Sequence, residues 1–138
     1  DVLTGSFTAN DLADIGITGN FYVNSGGTIT LYNTDSYVDL RGYVYIYGGN
    51  FNVYSNPSYG DSFWPWGTDA GITMSNGVLD FKNAGVCVYN TATYSLSENI
   101  TGGTIRTACG FRVDRADFTP DGGTLEFTMG NEPNKSLF

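Results

Sequence analysis

Gly26-Gly27-Thr28-Ile29-Thr30-Leu31 is the stretch that decides how this chain is read. A glycine pair opens a short run in which Ile29 and Leu31 alternate with Thr28 and Thr30, the period-two pattern of a strand buried on one side. The same opening recurs at Gly48-Gly49-Asn50-Phe51, Asn76-Gly77-Val78-Leu79, Gly102-Gly103-Thr104-Ile105 and Gly122-Gly123-Thr124-Leu125. The second member of each pair therefore falls at Gly27, Gly49, Gly77, Gly103 and Gly123, with the two middle steps longer than the outer ones. A marker returning at such a period is the sign of a repeat architecture.

The alternation extends between the markers. Val38 and Leu40 oppose Tyr37 and Asp39, and Val44 and Ile46 oppose Tyr43, Tyr45 and Tyr47. Leu79 with Phe81, Val86 with Val88, Phe111 with Val113, and Leu125 with Phe127 repeat the pattern. Two architectures accept short alternating strands with frequent turns. One is an antiparallel sandwich or barrel. The other is a solenoid in which each coil gives one strand to each of three parallel sheets. A sandwich has no need of the same marker at every step, so the pattern predicts an all-β fold, a right-handed parallel β-helix of four to five coils. Each coil takes about 20–22 residues, with insertions in two of them. Residues 1–138 are read as one domain, with residues 1–18 as an N-terminal cap. Within the cap, Asn10–Ile15 is expected as a one-turn helical lid with Thr8 or Asn10 as N-cap. Residues 54–70 fall in the longest step and are read as a protruding aromatic loop.

Composition narrows the function. Charged residues are 14% of the chain, against about 25% in an average globular protein. Net charge is −8 with six Lys and Arg, which lacks the basic footprint of a nucleic-acid binder. An anionic membrane surface repels the same charge, and no apolar run approaches the length of a membrane span. The acidity reads as solubility, with Ca²⁺ on some of the carboxylates as the alternative. No cofactor and no metal centre is implied. Cys87 and Cys109 without any histidine do not make an ordinary zinc site. Their separation is close to one coil, so they are read either as a candidate disulfide or as buried thiols.

Ala116-Asp117-Phe118-Thr119-Pro120-Asp121-Gly122-Gly123-Thr124-Leu125-Glu126-Phe127 resembles a coil motif of large secreted and surface proteins of Bacteroidetes, of the form F-x-P-x-G-G-T-V-x-F. Phe118, Pro120, Gly122, Gly123, Thr124 and Phe127 match it, with Leu125 in place of Val. The resemblance implies an extracellular or cell-surface location and a structural or adhesive repeat region. It brings no catalytic residues with it. Separately, no lid is visible in Gly130–Phe138 and an open end would expose strand edges, so further coils or domains of a parent chain are expected at the C-terminal end.

Three constellations invite a functional reading. Tyr59, Asp61, Trp64, Trp66 and Asp69 fall in the 54–70 segment, where flat aromatic faces beside carboxylates suit a sugar. The competing account folds Trp64 and Trp66 back over a sheet, because large aromatics seldom hang free. Tyr43, Tyr45 and Tyr47 form an outward row. It is read either as a ligand or partner platform or as aromatic pairing that only stabilises a sheet. Arg106, Arg112, Asp114, Arg115 and Asp117 resemble the charged clusters of β-helical pectin-acting enzymes, yet opposite charges two apart on a strand are also ordinary surface ion pairs. The sequence therefore predicts a non-catalytic extracellular module, structural or adhesin-like, that takes a carbohydrate or a protein partner. The alternative is a fragment of a polysaccharide lyase or glycoside hydrolase acting on acidic polysaccharide.

Overall fold

The structure, a computed structural model, describes residues 5–11, 15–17, 19–33, 38–54, 63–65, 70–82, 86–89, 96–107, 111–114 and 120–128. Its side chains are described over 19–32, 41–54, 70–82, 97–107 and 120–128. Among these residues there is no helix, and so no helix long and apolar enough to cross a membrane.

The strands fall into two sheets. The eight-stranded sheet holds β1 (Gly5–Asp11), β3 (Phe21–Val23), β4 (Gly27–Asn33), β6 (Tyr43–Tyr54), β8 (Ala70–Phe81), β10 (Leu96–Ile100), β11 (Thr104–Thr107) and β13 (Thr124–Phe127). The five-stranded sheet holds β2 (Ile15–Ile17), β5 (Val38–Leu40), β7 (Phe63–Pro65), β9 (Val86–Tyr89) and β12 (Phe111–Asp114). Every described pairing is parallel, and the chain passes from one sheet to the other and back as it proceeds. Parallel pairing excludes the antiparallel sandwich, because neighbouring strands must then be joined by long crossovers rather than hairpins.

Register follows the glycine markers. Ile29 pairs with Phe51, Phe51 with Leu79, Leu79 with Ile105 and Ile105 with Leu125. The second column is Leu31, Val53, Phe81, Thr107 and Phe127. Inward residues therefore stack on inward residues. Ile29, Leu31, Phe51, Val53, Leu79 and Phe81 are all fully or almost fully buried. Val44, Ile46, Ile72 and Met74 extend the same core under the first halves of β6 and β8. Those two strands pass a register irregularity between Ile46 and Asn50. Before it they pair with β3 and β10, and after it with β4 and β11. The long sheet is thus two strand stacks joined through β6 and β8, and the five-stranded sheet is a third.

Four expectations need correction. Thr8 and Asn10 do not cap a helix. They lie within β1, paired in register with Thr30 and Tyr32 of β4 in a seven-residue parallel ladder, so the backbone there is extended rather than helical. The three stacks form two sheets rather than three, because β6 and β8 run unbroken through the irregularity. Phe63–Pro65, in the middle of the segment read as a loop, is a strand paired with β5 and, at Phe63, with β9. Leu125 and Phe127 hold inward register positions but are 43% and 38% exposed, since β13 ends the described stack.

Candidate binding face

The outward face of the first stack carries four tyrosines. Val44 and Ile46 point into the core, so Tyr43, Tyr45 and Tyr47 must point out. Register then sets Tyr22 of β3 beside Tyr45 of β6. Their rings stack at a centroid distance of 4.6 Å with planes 4° apart, close to the spacing of neighbouring strands. Along β6 the rings are side by side. Tyr43 and Tyr45 are 5.9 Å apart at 25°, and Tyr45 and Tyr47 6.2 Å apart at 30°. Each neighbouring pair of rings is thus within 30° of parallel. Tyr22 and Tyr47 are exposed, while Tyr43 and Tyr45 are half-buried.

The register neighbours of the rings on β8 and β10 are small and uncharged. Tyr43, Tyr45 and Tyr47 face Gly71, Thr73 and Asn76 of β8, and beyond them Gly71 and Thr73 face Ser97 and Asn99 of β10. A Cβ on Gly71 would lie 2.3 Å from the Tyr43 ring, so that ring occupies the space a side chain would need. On the other side, the Asn20 side-chain oxygen accepts a hydrogen bond from the Tyr43 backbone N–H at 3.1 Å. Tyr45 has its phenol pKa raised above the ordinary 10.0, first by desolvation among its neighbours and then by the charges of Tyr22, Tyr43 and Tyr47.

A second tyrosine pair, Tyr32 with Tyr54, stacks at 4.5 Å and 15° on the second stack. Its neighbours there are polar. Thr30, Asn52, Asp80, Arg106 and Glu126 form one outward ladder across five strands. Asn52 donates to the Thr30 hydroxyl at 3.3 Å. Arg106 donates to Asp80 at 3.1 Å and to Glu126 at 2.9 Å, and Lys82 also donates to Asp80. Asp80 is only 2% exposed, so its charge is held among two cations. Both carboxylates raise the Arg106 pKa, Glu126 most, through hydrogen bonds. This ladder holds steps together and leaves no carboxylate pair facing a cleft, which glycoside hydrolysis needs. Among the described residues no three His, Cys, Asp or Glu side chains converge on a metal position.

Several residues singled out in the sequence are placed only in part. Trp64 lies on β7 opposite Asp39 of β5. Tyr59, Asp61, Trp66 and Asp69 lie outside the described residues. Cys87 lies on β9, and its register neighbour on β12 is Arg112. Cys109 lies outside the described residues. The charged cluster divides, with Arg106 in the eight-stranded sheet, Arg112 and Asp114 in the five-stranded sheet, and Arg115 and Asp117 outside the described residues. Sequence reasoning missed Asp80 and Glu126. Only the register, which puts them either side of Arg106, brings them together.

Comparison of the chain with protein families, with curated proteins and with solved structures returned no match.

Proposed function

We propose that this chain is a right-handed parallel β-helical module of a secreted or surface protein, non-catalytic and adhesin-like, that binds carbohydrate through its tyrosine face. The regular return of the chain to the same sheet supports the helical winding, and its hand is the one crossovers between parallel strands almost always take. The Gly-Gly-Thr coil motif supports a kinship with Bacteroidetes surface repeats.

One observation carries the binding reading. Tyr22, Tyr43, Tyr45 and Tyr47 gather on one outward face, neighbouring rings within 30° of parallel, beside hydroxyl and amide side chains. Tyrosine offers a rigid apolar body and a polar tip at low entropy cost, which matches the apolar faces and hydroxyls of a sugar ring.

Glycan-array binding by the whole chain, lost in Tyr45→Ala and with no release of sugar ends over long incubation, is the expected result. An array without a hit removes the carbohydrate reading. Release of unsaturated or reducing ends from an acidic polysaccharide would turn the assignment to a lyase or hydrolase instead.

A further inference from the structure

The longer path through the eight-stranded sheet runs from β1 to β13, and among the described residues no strand pairs with the outer side of either. At β13 this edge is also apolar. Leu125 and Phe127 hold inward register positions yet are 43% and 38% exposed. A cavity of about 270 Å³ opens beside them, with Ile100, Ile105, Pro120, Thr124 and Leu125 in its wall. Thr124 and Thr128 donate their backbone N–H groups to the Gly103 and Thr107 carbonyls. Alternation along the strand turns the N–H groups of Leu125 and Phe127 the other way, toward the side with no described strand. Natural edges are commonly blunted by proline, lysine or a bulge. Thr124–Phe127 has none of these, and its one charge, Glu126, is held by Arg106 of β11.

The steps of this sheet share a steric key. A Cβ on Gly49, Gly77, Gly103 or Gly123 would lie 2.3 to 3.1 Å from the carbonyl oxygen of the marker glycine one step earlier. A strand that extends the series past β13 therefore calls for glycine opposite Gly123. β1 supplies it. Gly5 pairs with Gly27 and Phe7 with Ile29, so β1 carries the register of every later step. We infer, independently of the tyrosine face, that the β13 edge is an interface for the β1 edge of a second copy of this chain, added in parallel with Gly5 opposite Gly123. Register then seats Phe7 opposite Leu125, beside the cavity, and Ala9 opposite Phe127. Glu126 meets Thr8, so no two carboxylates face each other across the paired positions. The two edges are different surfaces, so the contact is heterologous and each added copy leaves a free edge for the next. It is one strand wide, which places it among small, transient interfaces that fill only at high protein concentration. The −8 charge of each copy opposes assembly, and salt screens that repulsion.

Sedimentation velocity on the intact chain, from micromolar to millimolar concentration at low and high salt, tests this. Species heavier than a dimer should grow with concentration, and further with salt. Amide exchange over the same series should slow at Leu125 and Phe127 and stay unchanged at Thr124 and Thr128. Two variants block one edge each. Leu125→Lys places a charge in the open column, and Gly5→Val sets a branched side chain against Gly123. Each alone should lose the heavy species while keeping the far-ultraviolet circular dichroism of the parent. Mixed, each retains one working edge, so together they should form a one-to-one dimer that does not grow. A monomer at every concentration and salt overturns the inference. Association that stops at a dimer in the parent chain, or that persists in either variant, overturns it too, because like edges or another surface would then be pairing. Should a variant fail to fold, the sedimentation and amide exchange of the parent chain decide alone.

Discussion

The α-carbon of Gly77 sits so close to the Gly49 carbonyl oxygen one step earlier that a Cβ there would lie 2.4 Å from it. The relation repeats. A Cβ on Gly49 would lie 2.3 Å from the Gly27 oxygen, and one on Gly103 would lie 2.9 Å from the Gly77 oxygen. The second glycine of each marker is therefore a contact between successive steps, and backbone atoms on the other side cannot swing away. Gly77 also has φ of +88°, a region costly to a residue with a side chain.

Gly77→Ala is accordingly expected to destabilise by about 1–2 kcal/mol from conformation alone, with the backbone clash added. Gly19, beside which nothing lies within 4 Å, is the control. Gly19→Ala should shift stability by less than about 0.5 kcal/mol. Urea unfolding of the two variants side by side would sink this account of the marker if both behaved alike.

The inward columns make a second comparison. Phe51 and Leu79 sit mid-column and are fully buried, while Leu125 closes the same column and is 43% exposed. Leu79→Ala should cost about 2–5 kcal/mol, by lost transfer energy and the cavity left between neighbouring steps. Leu125→Ala removes the same atoms from a partly wet site and should cost well under half as much. Equal losses in chemical denaturation would mean that the column is not continuous.

Legibility from sequence follows the same physics. The register of the long sheet can be read because its steps meet at glycines, and a steric demand leaves a mark in the sequence. The markers at Gly27, Gly49, Gly77, Gly103 and Gly123 step with the pairings of Ile29, Phe51, Leu79, Ile105 and Leu125. The strands of the five-stranded sheet carry no glycine pair in their sequence, so the strand at Phe63–Pro65 reads as loop. The helical lid fails because capping preference at Thr8 and Asn10 is local, whereas β1 pairs in register with β4 from Gly5 to Asp11. The tyrosine row is visible by alternation, but Tyr22 joins it only through its register partner Tyr45 on another strand. Asp80 looks like any surface aspartate until Arg106 and Lys82 close over it.

That closure sets a third expectation. With its side chain 3% exposed, Asp80 depends on Lys82 and Arg106 to offset the loss of water around its carboxylate. Lys82→Met and Arg106→Met singly should each leave one cation in place and cost little. Together they leave the buried carboxylate uncompensated, a situation that costs about 3–5 kcal/mol. The diagnostic is a double-mutant cycle by denaturant unfolding. Strict additivity of the two single variants would show that the cations do not share the charge.

Alkaline pH gives the last expectation. The Tyr45 phenol has its pKa raised above 10.0 in the folded chain, by desolvation first and then by Tyr22, Tyr43 and Tyr47. The folded state thus favours the neutral phenol more than the unfolded chain does. That contribution is intact below about pH 10, the ordinary tyrosine value, and is lost as pH climbs through the higher folded value. Stability measured by urea midpoints should therefore fall above about pH 10 more steeply in the parent chain than in Tyr45→Phe, which keeps the ring and removes the ionisation. Ultraviolet absorbance followed in parallel should show a late-ionising tyrosine that disappears in the variant. If the two chains lose stability along the same alkaline curve, the crowding of the four rings has no hold on Tyr45, and the packed face on which the binding reading depends is not formed in solution.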